Sequence, residues 1–351
     1  MRLFVKQWSA VFVAVSALFL LSRPATAKVT AGYVVTKTVY LGTPDKWDYL
    51  HFDAASNRLY VAHGSRLDVI NAGNGKIIGT LDDMPGGSHG IAIVASEGKG
   101  YTDDGNNANV IAFDLKTLKP LKTIKALPDA DGIIFDKKSG HIFVIDGDSA
   151  KVTVIDPATD KVVATVDGGG ALEFGVSGEN GKLYVDGAEK NEIVRIDTST
   201  NKADAHWPLQ DCVSPHGIAI DRAAEHLFVS CRNARLDVVN EKNGKNIASF
   251  PIGRGTDAAG FDPVRHLIFS SNFDGTLSVI SEDGKDKYSL QQTVKTAIGA
   301  RTMALDMKTG RIYLATADYI VNKSAKPSDF KHRYKIKKGS AKILFLDVKN
   351  Q

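Results

Sequence analysis

One unit recurs seven times along this chain, and a repeat of that length admits few folds. The unit is a short apolar strand, a polar turn, an aromatic-led strand, a second turn and a V-x-V-I-D-like strand. A Gly-Lys turn and a fourth strand then finish it. It is plain in FDKKSGHIFVIDGDSAKVTVIDPATDKVVATV from Phe135, in IDRAAEHLFVSCRNARLDVVNEKNGKNIASF from Ile220 and in FDAASNRLYVAHGSRLDVINAGNGKIIGTL from Phe52. The second-strand aromatic falls at Tyr60, Tyr101, Phe143, Tyr184, Phe228, Phe269 and Tyr313, at spacings of 41, 42, 41, 44, 41 and 44 residues. Helical solenoids have similar periods but need an apolar residue about every 3.6 positions. Here runs such as residues 152–155 and 236–239 are β-branched or alternate, and Asn-Gly, Asp-Gly and Gly-Lys turns separate them, as hairpins require. The chain is therefore expected to be all-β. It reads as a seven-bladed β-propeller with blades of four antiparallel strands and little helix.

The way the ring closes is also legible. The seventh unit runs from Arg301 to Val348 and supplies only three strands, ending in KILFLDV. An orphan segment, residues 33–40, alternates like a strand ahead of the first full unit. Paired beside the C-terminal strand, it completes the last blade and removes an open edge. Residues 28–351 are accordingly read as a single propeller domain.

Residues 1–27 read as a signal peptide that is removed. Arg2 and Lys6 supply the basic start, residues 9–21 an uncharged apolar run, and Ala25-Thr26-Ala27 a small-x-small cleavage site. The apolar run falls short of the roughly 20 residues that span a bilayer. The expected location is periplasmic or secreted, with no transmembrane segment in the mature chain. The leader carries Arg2, Lys6 and Arg23 and no acid, so the formal charge of +4 falls to +1 without it. Global charge thus gives no case for nucleic-acid binding. In an oxidising compartment, Cys212 and Cys231 are expected to pair.

The repeated (L/I)(Y/F)V…V-x-V-I-D-x-x-T-x-K pattern resembles the YVTN-type repeat of YncE-like exported bacterial propellers. HGIAI at His89 and His216, DGTLSVI at Asp274 and ARTMALDMKTGRIYLATAD at Ala300 carry the likeness most specifically. Blade two departs from it with GKGYTDDGNNAN, and Asn240 and Ser281 replace the strand-ending Asp. The resemblance covers essentially the whole mature chain. It implies a seven-bladed fold, export and a role in binding a ligand or partner, with single-stranded DNA as one partner.

In a propeller the innermost strand of each blade begins at one mouth of the central channel. Twelve residues before each aromatic lie Asp48, His89, Asp131, His216, Asp257 and Arg301; in the fourth unit, one residue shorter, Glu173 takes this place. All seven positions are ionisable, although charged residues and His make up only roughly a quarter of the chain. Carboxylates and imidazoles converging on an axis could hold a divalent metal ion or supply a general acid and base. The bland alternative is a polar collar whose charges neutralise one another and solvate the opening. Three residues beyond the aromatics, His63, Asp104, Asp146 and Asn272 are expected to form a supporting shell, and a Cys212–Cys231 bond would staple the rim beside His216.

Blade seven carries a basic insertion at about 318–341. Together with Lys342 that segment counts Lys323, Lys326, Lys331, Arg333, Lys335, Lys337 and Lys338 against Asp318 and Asp329, a net of +6. Tyr319, Phe330 and Tyr334 interleave with the cations, as in single-strand binders. A solvated loop is the ordinary meaning of such a run; a lid or a contact for an anionic partner is the alternative. No G-x-S-x-G elbow, Walker motif, dinucleotide fingerprint or C-x-x-C-H site occurs. The leading expectation is a binding or scaffold protein holding a small ligand, metal ion or protein partner at the mouth. A metal-dependent, lactonase-like hydrolase using the mouth carboxylates and histidines is the enzyme alternative.

Overall fold

The computed structural model describes residues 32–349 apart from Lys285 and residues 327–329. The expected leader and its cleavage site lie outside the described residues. The repeats fold as seven four-stranded antiparallel sheets. Six blades are contiguous in sequence, spanning residues 50–81, 91–125, 130–167, 175–208, 215–251 and 256–295. The first strand of each blade touches the first strands of both neighbours, and Leu50–Asp53 meets Thr302–Asp306 to close the circle. The chain is a seven-bladed β-propeller.

The last blade closes as expected from the orphan segment. Its order runs Thr302–Asp306, Arg311–Thr316, Ala341–Lys349 and, outermost, Gly32–Gly42. The outer two strands are antiparallel, from Gly32 opposite Lys349 to Gly42 opposite Ala341. Asp347 ties this blade across three strands: it accepts from Arg311 Nε at 2.6 Å and Nη2 at 3.1 Å, and from the Thr36 hydroxyl.

Packing explains the near-continuous apolar runs of the middle strands. Each blade has two faces and both are covered, so seven apolar clusters fill the seven gaps between neighbouring blades. The seven ruler aromatics lie in these gaps at 0–1% exposure. Each such side chain contributes about 1.5–3 kcal/mol of burial, shared between two blades. The substitution of Asn for Asp at residue 240 costs no turn: its Oδ1 accepts the Lys242 N–H at 3.0 Å, as Asp156 accepts that of Ala158. In blade two, Gly100 stands where a side chain would strike the Phe113 ring, whose nearest atom is 2.2 Å from an ideal Cβ. Among the described residues the only α-helix is the single turn Phe330–Arg333.

Candidate functional site

Local backbone geometry aims five of the seven ring residues. In blade five, Pro215 pairs with Cys231 and Gly217 with Ser230, which leaves His216 as an extra residue in a β-bulge. Asp257 is extra in the same way between Thr256 and Ala258. In blade three, Asp131 and Gly132 fall between the pairs Ala130–Asp146 and Ile133–Val144. Blades one and four place two residues against one: Asp48 and Tyr49 bond to Ala62, and Glu173 and Phe174 to Asp186. A bulge increases the twist and re-aims a side chain. Here it turns a side chain of the innermost strand toward the axis.

The ring side chains converge into two unlike halves. Ligand atoms of Glu173, His216 and Asp257, from three successive blades, lie within 4.8 Å of one another. His216 Nδ1 is 2.9 Å from the Ser214 carbonyl, which can only accept, so this nitrogen carries the proton. Its Nε2 lone pair then faces Glu173 Oε2 at 3.3 Å. Burial lowers the His216 pKa to about 4, with Arg232 adding to the effect, so the ring stays neutral. Burial raises Glu173 to about 8, and the Asp257 charge reinforces it, which favours the protonated carboxyl at neutral pH. Asp131 is held well above the carboxylate range by burial and by Asp48, and its Oδ1 is buried without a hydrogen-bond partner. Asp48 is raised by burial to about 6, against the pull of Arg301 and His89.

The other half is cationic. Asp257 Oδ2 accepts from Arg301 Nε at 2.7 Å and Oδ1 from Arg232 Nη2 at 3.3 Å. A neutral imidazole between two carboxyl groups is a suitable donor set for a divalent ion. Asp257 would, however, have to turn from its two guanidinium partners to join it. Across the ring, His89 Nδ1 lies 2.6 Å from Asp103 Oδ2, while Asp103 Oδ1 accepts the His89 and Gly90 N–H groups at 2.9 and 2.6 Å. Burial opposes the His89 charge, but this partner outweighs it and raises the pKa to about 9.

Tyr49 and Phe174 follow ring positions in blades one and four, where the other blades have Gly90, Gly132, Gly217, Ala258 and Thr302. Their rings stack with centroids 4.5 Å apart and planes at 29°. Blades three apart in a circle of seven can touch only across the axis, so the pair forms a floor. The small residues between them allow the inner strands to approach closely: a Cβ on Gly217 would lie 2.6 Å from the Ala258 backbone carbon.

Two clefts open beside the ring, of about 570 and 560 Å³, and both are bounded by Phe273 and Arg301. The first is completed by Trp47, Asp48, His89 and the blade-seven insertion. That insertion is a two-stranded hairpin, Tyr319–Val321 against Tyr334–Ile336, rather than a loop leaving the blade. Its tyrosines pack edge-on against Phe273 at 5.7 and 5.4 Å, and Tyr319 also meets Trp47 at 6.4 Å. At its base Gly339 and Ser340 donate their N–H groups to Asp45. Lys335, Lys337 and Lys338 are exposed, Arg333 bonds the Ala325 carbonyl, and the Lys331 side chain lies outside the described residues.

The expected supporting shell serves the rim loops instead of the ring. His63 bonds Asp68 and the Pro44 carbonyl, Asp104 takes the Gly86 N–H, Asp146 takes Thr153 and the Leu127 N–H, and Asn272 bonds Ser270, Thr276 and Ser278. The carboxylate that grips a ring residue, Asp103, lies one position earlier, on the face of the strand that carries Tyr101. Cys212 and Cys231 are joined, with Cα atoms 5.4 Å apart; His216 lies four residues after the first half-cystine and Arg232 directly after the second.

Residues 48–217 match the family model DUF5074, a domain of unknown function. The match takes in blades one to four and the start of blade five. Among solved structures the chain is similar to one described as the crystal structure of RRP9 WD40 repeats. The TM-score is 0.72 over 89% of this chain and 97% of that chain, at 10% identity. That likeness concerns the fold alone. Comparison with curated proteins gives no match.

Proposed function

We propose that this chain is an exported binding protein that holds a small molecule in the floored chamber at its channel mouth. The observation that carries the reading is the pair of clefts at the mouth, lined by the ring residues Asp48, His89, Asp257 and Arg301, beside which the Tyr49–Phe174 stack crosses the channel. Clefts of this volume match small-ligand sites. The leader-like residues 1–27 and the disulfide support export, and the repeat pattern supports kinship with YncE-like propellers. Native mass spectrometry of protein from its own host is the direct test. A bound small molecule that is lost in Arg301→Ala supports the cup; retention of the molecule in that variant, or an empty wild type that also ignores a thermal-shift ligand library, refutes it.

A second reading rests on the Glu173, His216 and Asp257 cluster. In it a divalent ion sits on these three side chains and assists hydrolysis, with a lactone as the probe substrate. Turnover abolished by EDTA and by His216→Ala would favour the enzyme; binding without turnover favours the receptor. Single-stranded DNA is the less favoured occupant, because the hairpin tyrosines pack edge-on against Phe273 and each other instead of presenting open faces.

A further inference from the structure

The second cleft of the mouth has a composition unlike the rest of the ring. Arg232, Arg254 and Arg301 line it together with Asp257, Asn233 and Phe273. Three arginines thus share the cleft with one carboxylate. Asp257 satisfies a single Nε of Arg301 and a single Nη2 of Arg232. A guanidinium has five N–H donors, so both keep donors for a further acceptor. Arg254 is exposed, and its guanidinium has no hydrogen-bond or ion-pair partner among the described residues.

The backbone that carries these cations is held in place. Arg232 directly follows the disulfide residue Cys231, and its N–H donates to the Ser214 carbonyl at 3.1 Å. The backbone of Arg254 is bracketed by Asp274: the Arg254 N–H donates to Asp274 Oδ2 at 2.8 Å, and the Asp274 N–H donates to the Arg254 carbonyl at 3.2 Å. Arg301 is fixed by Asp257, and its carbonyl accepts the Ser271 hydroxyl at 2.5 Å. Phe273 forms an apolar wall. It lies so close to Gly255, whose φ is +70°, that an added Cβ would come within 2.9 Å of its Cβ. Bidentate-capable donors beside an aromatic wall suit an oxyanion with an organic body.

We infer that this cleft binds a small organic oxyanion, a carboxylate or phosphate monoester, with its charged end on Arg232, Arg254 and Arg301 and its body against Phe273. The inference rests on the reading of the mouth as a ligand chamber and names the class of ligand. The volume of about 560 Å³ suits a small molecule and not a polymer.

Calorimetry on the full mature chain with citrate and, separately, glycerol 3-phosphate tests it. At least one probe is expected to bind, and which one does distinguishes a carboxylate source from a phosphate source. Arg254→Ala, at an exposed position and with its fold verified by thermal melting, should weaken binding about tenfold or more, and Arg254→Lys less. Affinity should also fall as salt rises. Failure of both probes, or unchanged affinity in both Arg254→Ala and Arg232→Ala, overturns the proposal. A single-stranded oligonucleotide that binds and displaces the probe also overturns it, in favour of a polymer. A neutral molecule carried from the native host would overturn the oxyanion while leaving the chamber standing; an empty chamber would remove both.

Discussion

Tyr49 and Phe174, 125 residues apart in sequence and three blades apart in the circle, stack across the propeller axis with ring centroids 4.5 Å apart. The contact joins opposite sides of the ring directly, which no inter-blade cluster does. Stability and site architecture therefore depend on the same two rings.

Phe174→Ala should destabilise the chain by about 3 kcal/mol through lost burial and the cavity left behind. Tyr49→Ala should cost a similar amount, and the double variant less than the sum of the two, because one partner is already gone. Urea midpoints would check all three. Additive losses would mean that the rings do not rely on each other.

Cys212→Ser should cost about 3 kcal/mol, the chain-entropy value for a closed loop of this length. The same variant should loosen Arg232 and His216, so hydrogen exchange would rise over residues 213–217 and 231–235. An unchanged exchange pattern would mean that the flanking hydrogen bonds suffice to hold the rim.

Asp347 should make stability fall in acid. Burial pushes its carboxyl up, but the Arg311 guanidinium and the Thr36 hydroxyl outweigh that and hold it below the ordinary range. A lowered folded-state pKa gives stability that is fully present above the unfolded value of about 3.9 and is lost as pH falls through the folded one. Asp347→Asn should flatten that acidic limb. Thermal melts of both proteins between pH 6 and 2 would read it; parallel curves would count against the clasp.

His89 acts at the other end of the pH scale. Its folded-state pKa of about 9 lies above the ordinary value of about 6.5. Its contribution is therefore complete below pH 6.5 and is lost as pH rises through 9. An NMR titration should show His89 still protonated at pH 8, and Asp103→Asn should return its midpoint toward neutrality.

Much of this fold could be read from the chain because a propeller repeats its signals. The seven ruler aromatics, the three-stranded seventh unit and the alternating residues 33–40 each gave a position that the structure occupies as expected. The ring residues were found by counting back from those aromatics; Glu173, His216, Asp257 and Arg301 come together, while His89 pairs with Asp103. The floor was not foreseen. Its signal was the presence of Tyr49 and Phe174 at two positions where the other blades carry Gly, Ala or Thr, but period alone does not say which blades lie opposite. The supporting carboxylate Asp103 was missed by one residue: it lies two positions after Tyr101, on the same face of the strand, and not three. Arg232 and Arg254 stand in loops, where neither period nor alternation speaks.

The clasp that closes the last blade also sets how the molecule bears load. Gly32 and Lys349 lie opposite each other at one end of the outer strand pair, and Gly42 and Ala341 at the other. A force applied through the two chain ends would open the ladder rung by rung, as a zipper opens, instead of sliding one strand along the other. The tie from Asp347 to Arg311 and Thr36 sits near the pulled end, where the first rungs would part. The propeller is thus mechanically weakest at the seam where sequence closes it, while tension on any interior blade is carried around the ring by both neighbours.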